Sequence, residues 1–558
     1  MRKSHLLMTS AGLAAFLLQA GFVSSAAHAQ AAAALAGQVS SAEEGNMEGV
    51  VVSAKKEGST ITVSVVTGKD GRFSFPVSRL EPGAYTLKAR AVGYDLDGAN
   101  TANVAAGKPA QAQLKLKKTR NLAAQLTNAE WLMSMPGTDD QKKFLLNCSG
   151  CHTYERIVKS TYDADGFLKI FERMSNYYPG SMPTKPQRLA GNATRDGMAS
   201  RGGNAEKVAQ WLTTVNLNQS ETRTYPLKTL PRLTGKSTQV VITEYDLPNT
   251  MIQPHDVILD AQGTVWYSDF GQMFLGKMDP KTGKVTQYPI PQTKANWPTG
   301  TLDLEADKQG NIWVGVMYQA SIAKFDPKTE KFQQWSVPKE WQTDAAQTGH
   351  LAVGATHLDG KVWIKNSDET NIYRLDIATG KFEDFGNQKD PTTGRKVGTY
   401  GIHSDSKNNI YLLDFSGNGI GKIDAKTKAY SFYKTPTEMS RPRRGRVDAQ
   451  DRLWFAEYGA DAIGMLDTKT GEMKEWKVPT KWSAPYDAVV DKNGDAWTGS
   501  MSTDRIARLD TKTGQYVEYP LPRSSNIRRV FVDDRTNPGA LWVGNNHGAS
   551  IVKVEPLN

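Results

Sequence analysis

One feature constrains this 558-residue chain more than any other: its C-terminal half repeats itself. The marker aromatics Trp266, Trp313, Trp363, Tyr411, Trp454, Trp497 and Trp542 recur every 43 to 50 residues. Around them runs a shared phrase. An apolar strand leads into Asp-x-x-Gly-x and the aromatic, then a second strand ends in Ile-Gly-Lys-Ile-Asp or similar before Lys-Thr-Gly. A period of this size with about four short strands per unit predicts blades of a β-propeller. Seven markers predict seven blades over 238–558. The last unit stops one strand short after Ile551-Val552-Lys553-Val554. The run Gln239 to Tyr245, ahead of the first full unit, can supply that strand and close the ring, removing an exposed sheet edge.

Upstream lie two further composition regimes. From 35 to 117, β-branched and aromatic runs such as Ile61-Thr62-Val63-Ser64-Val65-Val66 alternate with turn signals, Lys69-Asp70-Gly71 and Glu81-Pro82-Gly83. Seven or so short strands predict a small β-sandwich. Over 121–217 the spacing of apolar residues becomes helical, in Leu122–Met133, Asp139–Leu146, Ala164–Met174 and Ala205–Val215. The fold class is therefore mainly β and multidomain: a sandwich, a small α-helical domain and a seven-bladed propeller.

The helical region holds the only two cysteines, in Cys148-Ser149-Gly150-Cys151-His152. Two thiols three residues apart with a histidine next are what covalent haem attachment needs: the thiols add to the porphyrin vinyl groups and the histidine ligates the iron. A zinc site would need a second ligand pair, and no further cysteine exists. A Cys-x-x-Cys redox pair belongs in a βαβ unit, which the flanks do not suggest. The expected cofactor is a covalent haem c on Cys148 and Cys151, with His152 on the iron. For the distal position a methionine sulfur is expected, with Met182 in Gly180-Ser181-Met182-Pro183 first, Met198 second and Met174 third.

The N-terminus predicts export. Arg2 and Lys3 precede an apolar run through Ala14-Ala15-Phe16-Leu17-Leu18, and Ala27-His28-Ala29 offers small residues for cleavage. A signal peptide over 1–29 and a periplasmic mature protein with no membrane span follow. The net charge of +10 is dispersed along the chain and excludes no anionic ligand, but nothing resembles a nucleic-acid module.

Aligning the propeller units on their markers predicts what faces the central funnel. Eleven residues before the marker stand His255, Leu302, Ala352, Tyr400, Arg443, Tyr486 and Arg528, allowing for an insertion in the last unit. Three residues after it stand Asp269, Val316, Asn366, Asp414, Glu457, Ser500 and Asn545. His255, Asp269, Glu457 and Tyr400 are the candidate catalytic residues, and a divalent metal in the funnel is one option. Arg443, Arg528 and Tyr486 are the candidate substrate-binding residues. Guanidinium groups pair with carboxylates and phosphates, so a small anionic substrate is expected.

Three family resemblances go with these readings. Asp70-Gly71-Arg72-Phe73, Pro82-Gly83-Ala84-Tyr85-Thr86-Leu87 and Gly93-Tyr94 resemble the carboxypeptidase regulatory-like sandwich, which implies an accessory module with a spacing or docking role. The helices around Cys148–His152 resemble a class I cytochrome c, whose Met-Pro segment Met182-Pro183 resembles. The Trp-x-x-Asp/Glu phrasing, best seen in Trp454-Phe455-Ala456-Glu457, resembles the virginiamycin B lyase propellers over 238–558. That family's activity resides in a final-blade Glu-Pro-His triplet and a later glutamate. Here the final blade reads Ser525-Asn526-Ile527-Arg528 and Asn545. The nearest echo is Gln253-Pro254-His255 with Asp269 in the first blade, one carboxylate short, so lyase activity is not implied. Three functions follow from the sequence. The first is an exported electron-transfer protein whose propeller binds, or binds and oxidises, a small anionic substrate, with electrons passing to a periplasmic acceptor. The second is a lyase or hydrolase using His255 and a metal. The third is a non-catalytic binding or docking protein.

Overall fold

A computed structural model describes residues 33–188, 205–218, 224–342, 347–366 and 371–557. The signal-peptide segment and Met198 lie outside the described residues. Six four-stranded antiparallel sheets follow one another along the chain from Pro254 to Pro520. A seventh blade combines Ile527–Asp533, Ala540–Asn545 and Ser550–Pro556 with Val240–Asp246. The pairing runs from Val240 opposite Pro556 to Asp246 opposite Ser550, so the two ends of the propeller chain close the ring.

The repeat phrase is a folding instruction at the level of side chains. In the first blade, Asp260 accepts from the backbone N–H of Gln262 and Thr264 at 3.0 and 2.9 Å, which fixes the tight turn. Gly263 there has φ +84°, which a glycine adopts without a Cβ penalty. The second oxygen of Asp260 takes the indole N–H of Trp266 at 2.9 Å. Asp307 with Trp313, Asp448 with Trp454 and Asp491 with Trp497 repeat the bond at 2.8, 2.9 and 3.0 Å. In these four units the marker indole is thus buried with its one donor satisfied, as a buried polar group requires.

The N-terminal region is a two-sheet sandwich of nine strands from Ala33 to Lys118. Leu35, Val52, Phe75, Leu87 and Leu114 form its core, together with Val241 from the propeller. Its second sheet does not end at the domain boundary. Ile61–Val66 pairs antiparallel with Val240–Asp246, so four sandwich strands and the seventh blade make one eight-stranded sheet. The outer edge of the closing strand is covered in this way.

Among the described residues, five α-helices lie between sandwich and propeller: α1 (Asn128–Ser134), α2 (Asp139–Lys143), α3 (Glu155–Val158), α4 (Ala164–Ser175) and α5 (Ala205–Val215). The sequence predicts α1 to start at 122. It starts later because Thr127 and Glu130 form a capping box, each satisfying the other's free N–H, while Leu126 is extended. The chain runs from α2 through a 3-10 turn, Phe144–Asn147, into Cys148. The helices do not keep a core of their own. Trp131, Leu132, Phe171, Trp211 and Leu212 pack in one apolar cluster with Tyr458, Trp482, Tyr486 and Met501 of the propeller. The helical layer is therefore seated on the mouth of the propeller. No helix among the described residues is long and apolar enough to cross a membrane.

Candidate functional site

Between the Cys148–His152 turn and α4 lies a cavity of about 330 Å³. Its walls include Cys148, Cys151, His152, Met174 and Met182, with Phe144, Phe167, Phe171 and Leu212 supplying apolar surface. No disulfide joins the two thiols. The ring of His152 places Nδ1 2.9 Å from the carbonyl oxygen of Thr153. A carbonyl only accepts, so Nδ1 carries the hydrogen and Nε2 is left as a lone-pair donor, the arrangement usual for a metal-ligating imidazole. Burial lowers the basicity of this ring, which keeps it neutral and able to ligate. Met182 sits at the start of a short turn, its backbone exchanging bonds with Lys185 at 3.1 and 3.0 Å. Ser181 and Gln187 anchor that turn: Gln187 Nε2 reaches the carbonyls of Gly271 and Thr299 at 3.2 and 3.0 Å. Met174 lines the same cavity from α4. The donor set of two thiols, one imidazole and a thioether fits a c-type haem by its chemistry.

The propeller holds this loop by its backbone. Asn526 Nδ2 donates to the carbonyl of Ser149 at 3.1 Å, and Arg528 Nη2 to that of Gly150 at 2.7 Å. His547 Nε2 is 3.2 Å from the same Gly150 oxygen. Arg441 Nη2 reaches Asn147 Oδ1 at 3.0 Å, and the Tyr458 hydroxyl donates to Leu146 O. On the other side of the cavity Gln253 Nε2 donates to Gly180 O at 2.8 Å.

Below the helical layer, the aligned residues do meet. His255 is fully buried, with Nδ1 2.7 Å from Asp256 Oδ1 and Nε2 2.9 Å from the Tyr486 hydroxyl, which in turn bonds Tyr400. Burial pushes the pKa of His255 down to about 3, despite the opposing pull of Asp256. The ring is neutral at neutral pH, and both its nitrogens are engaged. Arg443 lies against the rings of Tyr486, Tyr458, Tyr400 and Phe415, 3.9 to 4.8 Å from their centroids. The residues read from the sequence as a substrate-facing funnel thus lie beneath the helical layer, with Arg528 and Tyr458 bonded to it.

Deeper in the channel is a charged network that the alignment missed. Arg444, fully buried, pairs with Asp256 and Asp303, each at 2.8 Å, and Arg529 with Asp256 and Glu305 at 2.6 and 2.9 Å. His350 leans on Asp303 at 3.2 Å. Against the cost of burial, Arg444 and His255 hold the Asp256 carboxyl below its ordinary range. Glu305 and Asp487, farther from full compensation, are pushed up by burial to about 7 and about 6. A signal existed: ten residues before the marker stand Asp256, Asp303, Arg444 and Asp487, with Arg529 at the shifted position of the last blade.

The remaining candidates are dispersed. Asp269 caps its own turn, accepting from the N–H of Gln253 and Gly271 at 3.2 and 3.0 Å and from Gln272 at 2.7 Å. Glu457 occupies the equivalent place in the fifth blade with a longer side chain, and neither of its buried oxygens has a hydrogen-bond partner. Burial and then Glu475 push its pKa up to about 9. Among the described residues no group of three or more His, Cys, Asp and Glu side chains is placed to hold a metal ion.

A propeller closed by its N-terminal strand, extended by a sandwich and covered by a cysteine-bearing helical layer defines the class of this protein. Within it, residues 387–557 match the virginiamycin B lyase family and residues 34–117 the carboxypeptidase regulatory-like domain. No curated protein matches the chain. Similar solved structures include a virginiamycin B lyase from Staphylococcus aureus, 22% identical, covering 56% of this chain and 98% of that one, TM-score 0.48. A streptogramin B lyase is likewise 22% identical, covering 58% and 99%, with TM-score 0.48. The propeller is thus virginiamycin B lyase-like in its later blades, and the sandwich is similar to the carboxypeptidase regulatory-like domain.

Proposed function

We propose that this chain is an exported electron-transfer protein whose Cys148 and Cys151 would hold a c-type haem, with His152 and Met182 as the residues that would ligate its iron. The observation that carries the reading is the cavity: both thiols, the imidazole and two thioethers line one apolar space although they come from three separate stretches of chain. When bound, such a group supplies one-electron chemistry at its iron. The chain's residues do the rest. The Thr153 carbonyl orients His152 through Nδ1, and the apolar side chains of α4 and α5 exclude water, which favours the less charged reduced state. The Met182 turn is tied to the propeller by Gln187, so the thioether is offered from a fixed element. Because the helical layer covers the mouth, electrons are exchanged with a donor and a periplasmic acceptor at the cavity, not within the channel.

The lyase alternative is less well supported by the geometry. A general base needs an accessible nitrogen near its ordinary pKa, whereas both nitrogens of His255 are bonded and its basicity is lowered. The test is spectroscopic. Met182→Ala in the exported protein should abolish the weak red charge-transfer band of Met-ligated ferric haem. Survival of that band contradicts Met182 as ligand, and Met174→Ala and Met198→Ala then identify which thioether is bound.

A further inference from the structure

The contacts between propeller and helical layer fall on one short stretch. Leu146, Asn147, Ser149 and Gly150 are each bonded by a propeller side chain. These are the residues that lead into and separate the two cysteines. Two of these propeller side chains are arginines, Arg441 on the Asn147 side chain and Arg528 on the backbone, and Arg528 is the one that bonds between the cysteines. It is 3% exposed, and its bonds go to the Gly150 carbonyl at 2.7 Å and the Asn526 side-chain oxygen at 3.1 Å. Its guanidinium rests 4.5 Å from the centroid of the Phe270 ring. These partners are neutral. The next residue, Arg529, has two carboxylates, and Arg444 has two more. Arg443 repeats the pattern of Arg528: its contacts are four aromatic rings and the Met501 sulfur at 3.4 Å. Two guanidinium groups, Arg528 buried against the cysteine loop and Arg443 partly buried among aromatic rings, therefore have no carboxylate in ion-pair contact among the described residues.

A buried cation without a counter-charge is costly and is ordinarily paired. Its field is also weakly screened, because the surrounding dielectric is low. We propose that Arg528 is a positioning residue of the Cys148–His152 site, and that it and Arg443 raise the reduction potential of the centre held there. The proposal rests on the haem reading above. Reduction adds one electron and removes one positive charge from the iron, so a fixed cation beside the loop favours the reduced state. The hydrogen bond from Arg528 to Gly150 sets the distance over which that field acts. The propeller is then the second half of the redox site, contributed from nearly 400 residues away in sequence, as the Arg528 to Gly150 separation of 378 shows.

The experiment is a spectroscopic redox titration of the full-length exported protein, its Arg528→Gln, Arg528→Lys and Arg443→Gln variants, each first checked for covalent haem by stain after denaturing electrophoresis. Arg528→Gln should shift the reduction equilibrium about tenfold toward the oxidised form, a fall of about 59 mV for one electron. Arg528→Lys should restore most of that shift, because it keeps the charge. Arg443→Gln should lower the potential while the haem spectrum stays as in the parent, because Arg443 bonds no loop carbonyl. It also reads the same field should Arg528→Gln fail to mature. Potentials equal to the parent in stained Arg528→Gln, or in Arg443→Gln, overturn the proposal. An unstained parent overturns the haem reading instead, before any variant is compared.

Discussion

At the level of single residues, the same repeat position does different work in different blades. Asp269 is short enough to accept from two backbone N–H groups, Gly271 of its own turn and Gln253 ahead of the neighbouring strand. Glu457 has one methylene more and loses those bonds, so its carboxyl is buried without partners. Its pKa rises from the ordinary 4.5 to about 9, through burial first and Glu475 second. The folded protein therefore binds a proton that the unfolded chain has released between these two values, and stability falls as pH rises across that window. Glu457→Gln should remove the dependence. The variant should gain on the parent between pH 5 and pH 9, by at most about 1.4 kcal/mol per pH unit. Thermal melts at pH 5, 7 and 9 check this; a parent-to-variant difference that stays constant with pH contradicts it.

That Cys148, Cys151 and His152 share one short turn was legible in the sequence from spacing alone, and all three line one cavity. The supports of that turn were not legible. Asn526, Arg528 and His547 act on the loop through backbone carbonyls, which leave no pattern in the loop's own sequence. The deep channel was missed for a geometric reason. Taking one position per unit assumes a regular strand whose neighbouring residue faces away, but each innermost strand has a register shift at its start, as between Pro254 and Val257 or Pro442 and Gly445. Such an irregularity re-aims side chains, so His255 and Asp256 both take part in the channel network where strict alternation would show only one.

At the scale of elements, the turns explain why the repeat could be read at all. In the units of Trp266, Trp313, Trp454 and Trp497 the Asp-to-indole bond couples the turn before the marker strand to the blade core, and aspartate, glycine and tryptophan must keep their spacing for it to form. Asp448→Ala in the fifth blade would leave the Trp454 indole N–H and two backbone N–H groups without their acceptor. Each unsatisfied group costs about 1–3 kcal/mol, so the variant should melt well below the parent; an unchanged melting temperature contradicts the role given to this bond. The capping box of α1 is a second such device. Glu130 takes the N–H of Thr127 and, through its other oxygen, that of Leu230, both at 2.8 Å. Thr127→Ala should cost about 1 kcal/mol, measured by denaturant unfolding, and Glu130→Ala more, because it frees two donors.

At the scale of the whole molecule, three regions that the sequence separates prove to be joined. The sandwich continues the seventh blade edge to edge, and the helices share their apolar core with the propeller mouth. Neither union has a local signal: strand pairing and shared cores depend on surfaces hundreds of residues apart. The closing strand itself was legible, because a unit one strand short demands a partner. A variant lacking 33–118 would expose the edge of Val240–Asp246, a run of Val240-Val241-Ile242-Thr243-Glu244-Tyr245, and unpaired edges of this kind recruit other chains. Such a truncation should elute as aggregate in size-exclusion chromatography; a monodisperse product would show that the sandwich is not needed to cover the edge.

In the proposed centre the helical layer would supply the ligands and the propeller the floor. Intact-mass spectrometry of the purified exported protein, denatured so that only covalent groups remain, tests it most directly. The parent should carry the added mass of one haem, and Cys148→Ser with Cys151→Ser together should not. A parent at the bare mass of its polypeptide, purified from a host that attaches haem c to other exported proteins, would contradict the account.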